Sequence, residues 1–383
     1  MHEIIKKYII DQKENEIFLK EIRENLLAFG HRFPSPEGSA YYLGDDGTPW
    51  TDRKRETWIT CRMAHVYSIG TFLGHEGSKE LQCYGHAFVI LATSSALLAD
   101  RKGAQELLEE ALELFDLRFW DEREGLAVDT WNTEFSVLDD YRGLNANMHT
   151  VEAFLAVADA TGREMYRNRA GRIIDHVISW AANNEWRIPE HFTKEWKPAL
   201  EYNKECPADP FKPYGATPGH GIEWGRLITQ WALSVYREDE QARKPYLSAA
   251  EHLYQRAVRD AWNVDGAPGI VYTTDWKGEP VIHDRMHWTL AEAINTSAVL
   301  YRATGMERYA SDYVQYMEYL DKQVLDHVNG SWFHQMNEKG EVTGSVWPGK
   351  SDLYHAFQAT LIPYCRADVS VASAVSLPEF FLP

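Results

Sequence analysis

Six stretches of this chain share one local pattern, a charged or imidazole side chain placed near the start of an apolar helical run. In ATPGHGIEWGRL (216–227), Pro218 and Gly219 end a loop and open a helix. His220 and Glu223 follow three residues apart and so share one helix face. NANMHTVEAF (145–154) repeats that spacing with His149 and Glu152. CYGHAF (83–88) and DLYHAF (352–357) carry His86 and His355, each before an Ala-Phe pair. WITCRMAHVY (58–67) offers Arg62 and His65, and HWTLAEAI (287–294) offers Glu292. A unit repeated in this way points to an internal repeat whose ends converge on one pocket.

Helical periodicity runs through the rest. It predicts helices near 3–29, 55–73, 84–99, 104–119, 145–161, 164–182, 219–237, 244–262, 286–303, 306–326 and 352–364. Between them lie Gly, Trp and Asp clusters with short strand-like pieces: 119–131, 269–282 and 330–342. Lys277-Gly278 and Lys339-Gly340 sit between alternating residues and predict hairpins. One helix of each pair has a charged face, as in AQELLEEALELF (104–115); the other is apolar and carries the His or Glu. Amphipathic helices belong outside and apolar ones inside. Six such pairs close as an all-α (α/α)6 barrel with short β-hairpins in its loops, one domain over residues 1–383. The count reaches eleven helices rather than twelve. Only GHEGSKEL (74–81) separates two inner helices, so an outer helix is expected to be missing near 74–82.

Bulk properties narrow the function. A formal charge of −18 argues against nucleic acid and anionic membrane surfaces. AFVILATSSALLA (87–99) is too short to span a bilayer, and the first residues are too charged for a signal peptide. Cys61, Cys83, Cys206 and Cys365 form no CxxC pair and read as free thiols, which predicts a reducing cytoplasm. Fourteen Trp and 20 Tyr supply aromatic faces of the kind that sugar sites use. Neither GxxxxGK[ST] nor GxGxxG occurs, so no nucleotide site is expected. HExxH and Cys/His clusters are also missing, and the sequence predicts no metal and no cofactor.

Three strings are more specific: DDYRGLNANMHTVEAF (139–154), YNKECPADPFKPYGATPGHGIEWGRL (202–227) and RMHWTLAEA (285–293). Together with WITCRMAHVYS and SDLYHAF, in this order, they resemble the N-acylglucosamine 2-epimerase superfamily, and within it the branch of D-mannose isomerase and sulfoquinovose isomerase. The resemblance implies an (α/α)6 barrel. It implies that His220 and His355 are the acid/base pair and that Arg62, Asn145, His149, Glu223 and Glu292 position the substrate. Trp58 and Trp288 would be pocket walls. Sulfonate-recognising members carry an Arg and a Gln where this chain has Pro210 and Ser351, which favours a neutral sugar.

The chemistry so implied is proton transfer between C2 and C1 of an open-chain sugar through an enediol. A base with a pKa near neutrality is needed at C2, and histidine supplies one. Fixed donors must meet the charge that develops on the enediol oxygens. Arg62, Asn145 and a second histidine can do so, and Glu223 and Glu292 can orient an imidazole or hold sugar hydroxyls. Isomerisation through a cis-enediol can use one base on one face, whereas 2-epimerisation needs groups on both; His220 and His355 suit either. The branch that the chain resembles favours isomerisation, so the resemblance implies D-mannose to D-fructose, with D-lyxose and D-xylulose as further substrates. The alternatives are a 2-epimerase, a sulfoquinovose isomerase, an inverting glycosidase built on Glu223 and Asp139, and a sugar-binding protein without turnover. The partner is a small monosaccharide, with a homo-oligomer compatible with the chain. A lone histidine at a helix start is most often a cap or a satisfied buried group, and His65, His86 and His191 are open to that reading. The Asp139-Asp140 pair reads as part of a loop ion pair.

Overall fold

A computed structural model describes residues 5–36, 39–72, 86–131 and 135–377. Six helices form an inner ring: α2 (Thr57–Phe72), α3 (His86–Leu98), α5 (Leu144–Thr161), α7 (Pro218–Val235), α9 (His287–Thr304) and α11 (Tyr354–Ala359). Each packs on the next, and α11 returns to α2, so the inner wall closes. Outside it lie α1 (Lys13–Gly30), α4 (Ala104–Arg118), α6 (Glu164–Ala182), α8 (Glu240–Ala261) and α10 (Glu307–Tyr319). The (α/α)6 expectation thus holds. The segment 74–82, where an outer helix was expected to be missing, lies outside the described residues.

The two layers follow from the two kinds of sequence. Along α4 only Ala104, Leu108, Ala111, Leu112 and Phe115 are buried, one stripe at helical spacing under a charged face. In α9 every residue from His287 to Leu300 except Trp288 is buried, because that helix meets neighbours on all sides. Inner helices pass to outer ones by short turns. Gly162 and Gly305 end α5 and α9 in the left-handed conformation, at φ 73° and 68°, with N–H groups bonded back to Ala158 and Tyr301.

The return connections are long, and they gather at the N-terminal ends of the inner helices. Neighbouring loops are stitched by short antiparallel pairs: Arg142–Gly143 with His191–Phe192, and Arg285–Met286 with Gln335–Met336. Single bridges join Ala216 to Thr274 and Leu43 to Lys350. These contacts between loops fix the rim of the barrel mouth. The hairpin expected at Lys277-Gly278 forms between Thr273–Thr274 and Pro280–Ile282, the one expected at Lys339-Gly340 is closed only by a single Met336–Val342 bridge, and a further short pair joins Trp120–Asp121 to Leu126–Ala127.

Several boundaries differ from expectation. The helix predicted from residue 3 begins at Lys13; Asp11 takes φ 65°, and the stretch before it forms only a 3-10 turn at Lys6–Tyr8. α8, expected from residue 244, starts at Glu240, capped by Asp239, and runs through Pro245. The last predicted helix breaks after Ala359, and Pro363 sits in a separate 3-10 turn. A further helix, α12 (Val371–Ser376), was not foreseen. It packs on α2, α3 and α5, with Val371 and Ala372 beside Leu91 and Leu155, away from the mouth. Among the described residues no helix is long and apolar enough to cross a membrane. Cys206 and Cys365 are free thiols, and Cys83 lies outside the described residues.

Candidate active site

A cavity of about 830 Å³ opens at the mouth, lined by residues from all six inner-helix starts. The sequence-derived candidates Trp58, Arg62, Asn145, His149, His220, Glu223, Trp288 and His355 all line it. Glu292 does not.

His220 and His355 both pack beside one indole. The Trp288 ring centroid is 5.0 Å from that of His220 and 5.7 Å from that of His355. Glycine at the start of α7 permits this approach, since a methyl on Gly219 would meet Trp288 and Thr289 at 2.7 Å. Each imidazole is held from behind. His220 Nδ1 lies 3.0 Å from Glu190 Oε2, and His355 Nδ1 lies 3.0 Å from Glu292 Oε1. A carboxylate accepts, so Nδ1–H donates and the Nε2 lone pair is left as the base. Burial pushes the His355 pKa below its usual value, while Glu292 pulls it back up.

Glu190 escaped sequence reading. It lies in the loop before α7, is buried, and also accepts from the Thr217 backbone N–H at 3.3 Å. The only signal was an acidic residue beside His191 in RIPEHF. Glu292 takes the imidazole-orienting role of the two that the sequence left open. Its second oxygen accepts from Arg226 Nε at 2.8 Å.

Arg226 is the second residue that was missed. Fully buried, it faces three carboxylates: Glu292, Glu223 at 3.1 Å and Glu152 at 3.7 Å. One cation among three acids leaves excess negative charge, and Glu223 responds. Burial and the neighbouring Glu292 raise its pKa well above the carboxylate range, against Arg226. Its Oε2 is buried without a partner among the described residues. Glu152 goes the other way: burial opposes its ionisation, but His149, Arg226 and Tyr354 pull its pKa down.

Arg62 donates to Asp352 at 3.1 Å, and its guanidinium lies among Trp58, Phe88 and Tyr354 at 4.7–4.9 Å from their ring centroids. His149 packs on Phe88 at 4.6 Å, and burial lowers its pKa to about 4, so it is neutral at pH 7. Asn145 presents an exposed side chain to the cavity.

The remaining candidates fall away from the chemistry. His191 spends both ring nitrogens on Tyr141 and the Pro213 carbonyl, each at 2.8 Å. His65 bonds Ser95 at 2.8 Å and does not line the cavity. His86 reaches the cavity edge but is tied to the Ala111 carbonyl and stacked on Phe119. Asp140 pairs with Lys194, as a loop ion pair should. Asp139 is exposed and does not line the cavity, so the carboxylate pair an inverting glycosidase needs, about 6.5–9.5 Å apart across the substrate, is not formed with Glu223.

Two triplets have donor atoms within 4.8 Å of one another: His149, Glu152 and Glu223, and Glu223, Glu292 and His355. Sequence spacing did not reveal them. In both, Arg226 already supplies positive charge to the carboxylates.

A closed ring of paired helices with a polar cavity at one mouth defines a helical-barrel class of enzyme. The chain belongs to the N-acylglucosamine 2-epimerase (GlcNAc 2-epimerase) family, whose sequence profile matches residues 78–359. It is 43% identical to a D-mannose isomerase of Pseudomonas cannabina pv. alisalensis, over 79% of this chain and 74% of that protein. It is 37% identical to a D-mannose isomerase of Thermobifida fusca, over 92% and 94%. A crystal structure of D-mannose isomerase superposes with a TM-score of 0.81 at 26% identity, covering 91% of this chain and 97% of that one. Cellobiose 2-epimerase from Spirochaeta thermophila shares the fold, with a TM-score of 0.73 at 17% identity over 92% and 98%.

Proposed function

We propose that this chain is an aldose–ketose isomerase that interconverts D-mannose and D-fructose. The observation that carries the reading is the pair of imidazoles beside Trp288, each held through Nδ1 by a buried carboxylate. The relatives named D-mannose isomerase give the substrate.

After ring opening, Nε2 of one histidine removes the proton from C2. The C2–H electron pair becomes the C1–C2 double bond, and the carbonyl oxygen at C1 takes negative charge. Arg62, Asn145 and neutral His149 are the donors at hand for that oxygen, and Glu223 with its proton is another. The O2–H proton passes to the O1 oxyanion by way of the second imidazole, the same base returns its proton to C1, and a C2 ketone with a C1 hydroxyl forms. Glu190 and Glu292 keep both imidazoles in the required tautomer and stabilise each while it carries the extra proton. No redox cofactor enters, because the substrate is both oxidised at C2 and reduced at C1. In this reading the enzyme needs no metal and acts in the cytoplasm.

The sugar is uncharged. Pro210 and Ser351 line the cavity at the positions where sulfonate-recognising relatives carry an Arg and a Gln, and neither supplies the charge of that Arg. An anionic head group would lose its hydration there with little return. Incubating the protein with D-mannose in the presence of a chelator and separating the sugars tests the proposal. Fructose is expected. Glucose would instead establish 2-epimerisation, and recovery of mannose alone would overturn both.

A further inference from the structure

His287 and His334 belong to the cavity wall but not to the proton-transfer machinery. His287 is the first residue of α9, and His334 lies in the loop before α11; the short pair that joins Arg285–Met286 to Gln335–Met336 brings them together. Their rings stack almost parallel, with centroids 3.8 Å apart and planes 8° from one another. His287 stands edge to face with His355, 6.5 Å between centroids. The two rings are 7% and 2% exposed. Neither has a carboxylate partner.

Both imidazoles are neutral at pH 7. Burial lowers His334 to about 4 and drives His287 well below its usual value, and each ring would repel a charge on the other. Their tautomers follow from their neighbours. The Ser351 backbone N–H donates to His334 Nδ1 at 3.1 Å, so the proton of His334 is on Nε2. The His334 carbonyl favours a proton on the His287 ring, and Nε2 of His287 is buried without a partner among the described residues. With its one proton on Nδ1, His287 offers a lone pair at Nε2. The two Nε2 atoms, one donor and one acceptor, are both buried and unpaired among the described residues. A buried polar atom without a partner costs about 1–3 kcal/mol, which two stacked phenyl rings in the same place would avoid. A hydroxyl answers both at once, since it accepts from one nitrogen and donates to the other.

We propose that His287 and His334 form a neutral hydrogen-bonding site for one sugar hydroxyl beyond C2, and so help decide which sugars are accepted. The assignment of a monosaccharide substrate rests on the function proposed above. Because neither ring is charged or paired to a carboxylate, the site binds and sorts substrates without taking part in proton transfer.

The test compares wild type, His334→Phe and His287→Phe on D-mannose and its 3-, 4- and 6-deoxy analogues, read as kcat/KM and as calorimetric binding. Phenylalanine keeps the stack and removes the polar atom. Wild type should lose about 10- to 100-fold on one analogue, the loss of one buried hydrogen bond. Each variant should lose a similar factor on mannose yet treat that analogue and mannose alike. His334→Gln, which retains a donor, serves where a phenylalanine variant fails to fold, and should keep part of the discrimination. Unchanged analogue ratios in the folded variants would overturn the proposal. If wild type isomerises no mannose, the functional reading fails by that result, while the binding ratios still judge the site.

Discussion

Glu190 accepts from His220 at 3.0 Å although it sits in a loop thirty residues upstream of it. The contact reproduces, from a loop, what Glu292 does for His355 from within a neighbouring inner helix. Glu190→Gln should leave the imidazole free to take the other tautomer, with its lone pair turned from the substrate. Turnover should fall on the order of 10–100-fold with KM little changed. A fall in KM-limited binding alone, with kcat intact, would show that Glu190 serves the sugar rather than the histidine.

His220→Ala and His355→Ala should each lower kcat on the order of 10²–10⁴-fold, with thermal unfolding close to wild type. Solvent deuterium entering C2 of recovered mannose identifies the base: the variant that lacks it should lose exchange as well as product. Near-wild-type turnover in both variants would remove the pair from the chemistry.

The pH profile should separate the two roles of Glu292. Burial holds the His355 pKa below its usual value, while Glu292 and Asp352 raise it and Arg62 lowers it. A base must be neutral to act, so the rate should fall as pH drops through a value below about 6.5. Removing the negative charge by Glu292→Gln lowers that pKa further, and leaves Arg226 nearby with less compensation. The acid limb should then move to lower pH even as the plateau falls. A limb displaced upward would contradict the hydrogen bond seen between Glu292 and His355.

The barrel was legible because its repeat is written twice, once in helical periodicity and once in the His or Glu at each inner-helix start. His149, His220, Glu223 and His355 sit at i, i+3 spacings or before matching Ala-Phe pairs, and these survive as cavity residues. What the sequence hid is contact across loops. Glu190 and His334 act through partners far along the chain, and the two-residue pairs that place them leave no alternation to read. Arg226 was passed over because an arginine on an inner helix becomes informative only once three acids are seen around it. Asp11 shows the opposite failure, with apolar periodicity extended through a residue whose left-handed backbone ends it.

Lys350 and Asp326 hold the last long loop to the wall. The ammonium is fully buried and donates to Asp326 at 2.6 Å and to the Gly330 carbonyl at 2.7 Å. Burial opposes ionisation of Asp326, yet Lys350 and nearby backbone N–H groups bring it down to about 2. A depressed carboxyl pKa stabilises the fold above the unfolded value near 3.8, and that contribution is lost as pH falls through about 2. Lys350→Met should cost about 3–5 kcal/mol at pH 7 by stranding the carboxylate. Urea unfolding at pH 7 and pH 3 should show the deficit shrinking in acid. A deficit that does not change with pH would mean the loss is packing alone.

Glu223 should work as an acid that keeps its proton. It shares Arg226 with Glu292 and Glu152, and Glu292 is also bound to His355. One guanidinium cannot balance three carboxylates in a closed interior, so the acid with an unpartnered oxygen is the one to stay neutral. A neutral carboxyl offers a sugar oxygen a donor, as the amide of glutamine does. Glu223→Gln should therefore keep kcat/KM for mannose within roughly tenfold of wild type. Glu223→Ala should lose considerably more, because no polar group at position 223 then meets the sugar or Arg226. Glu292→Gln, which removes a carboxylate that is ionised, should be the more damaging of the two glutamine changes. Equal damage from Glu223→Gln and Glu223→Ala would show that the site requires a charged carboxylate at 223.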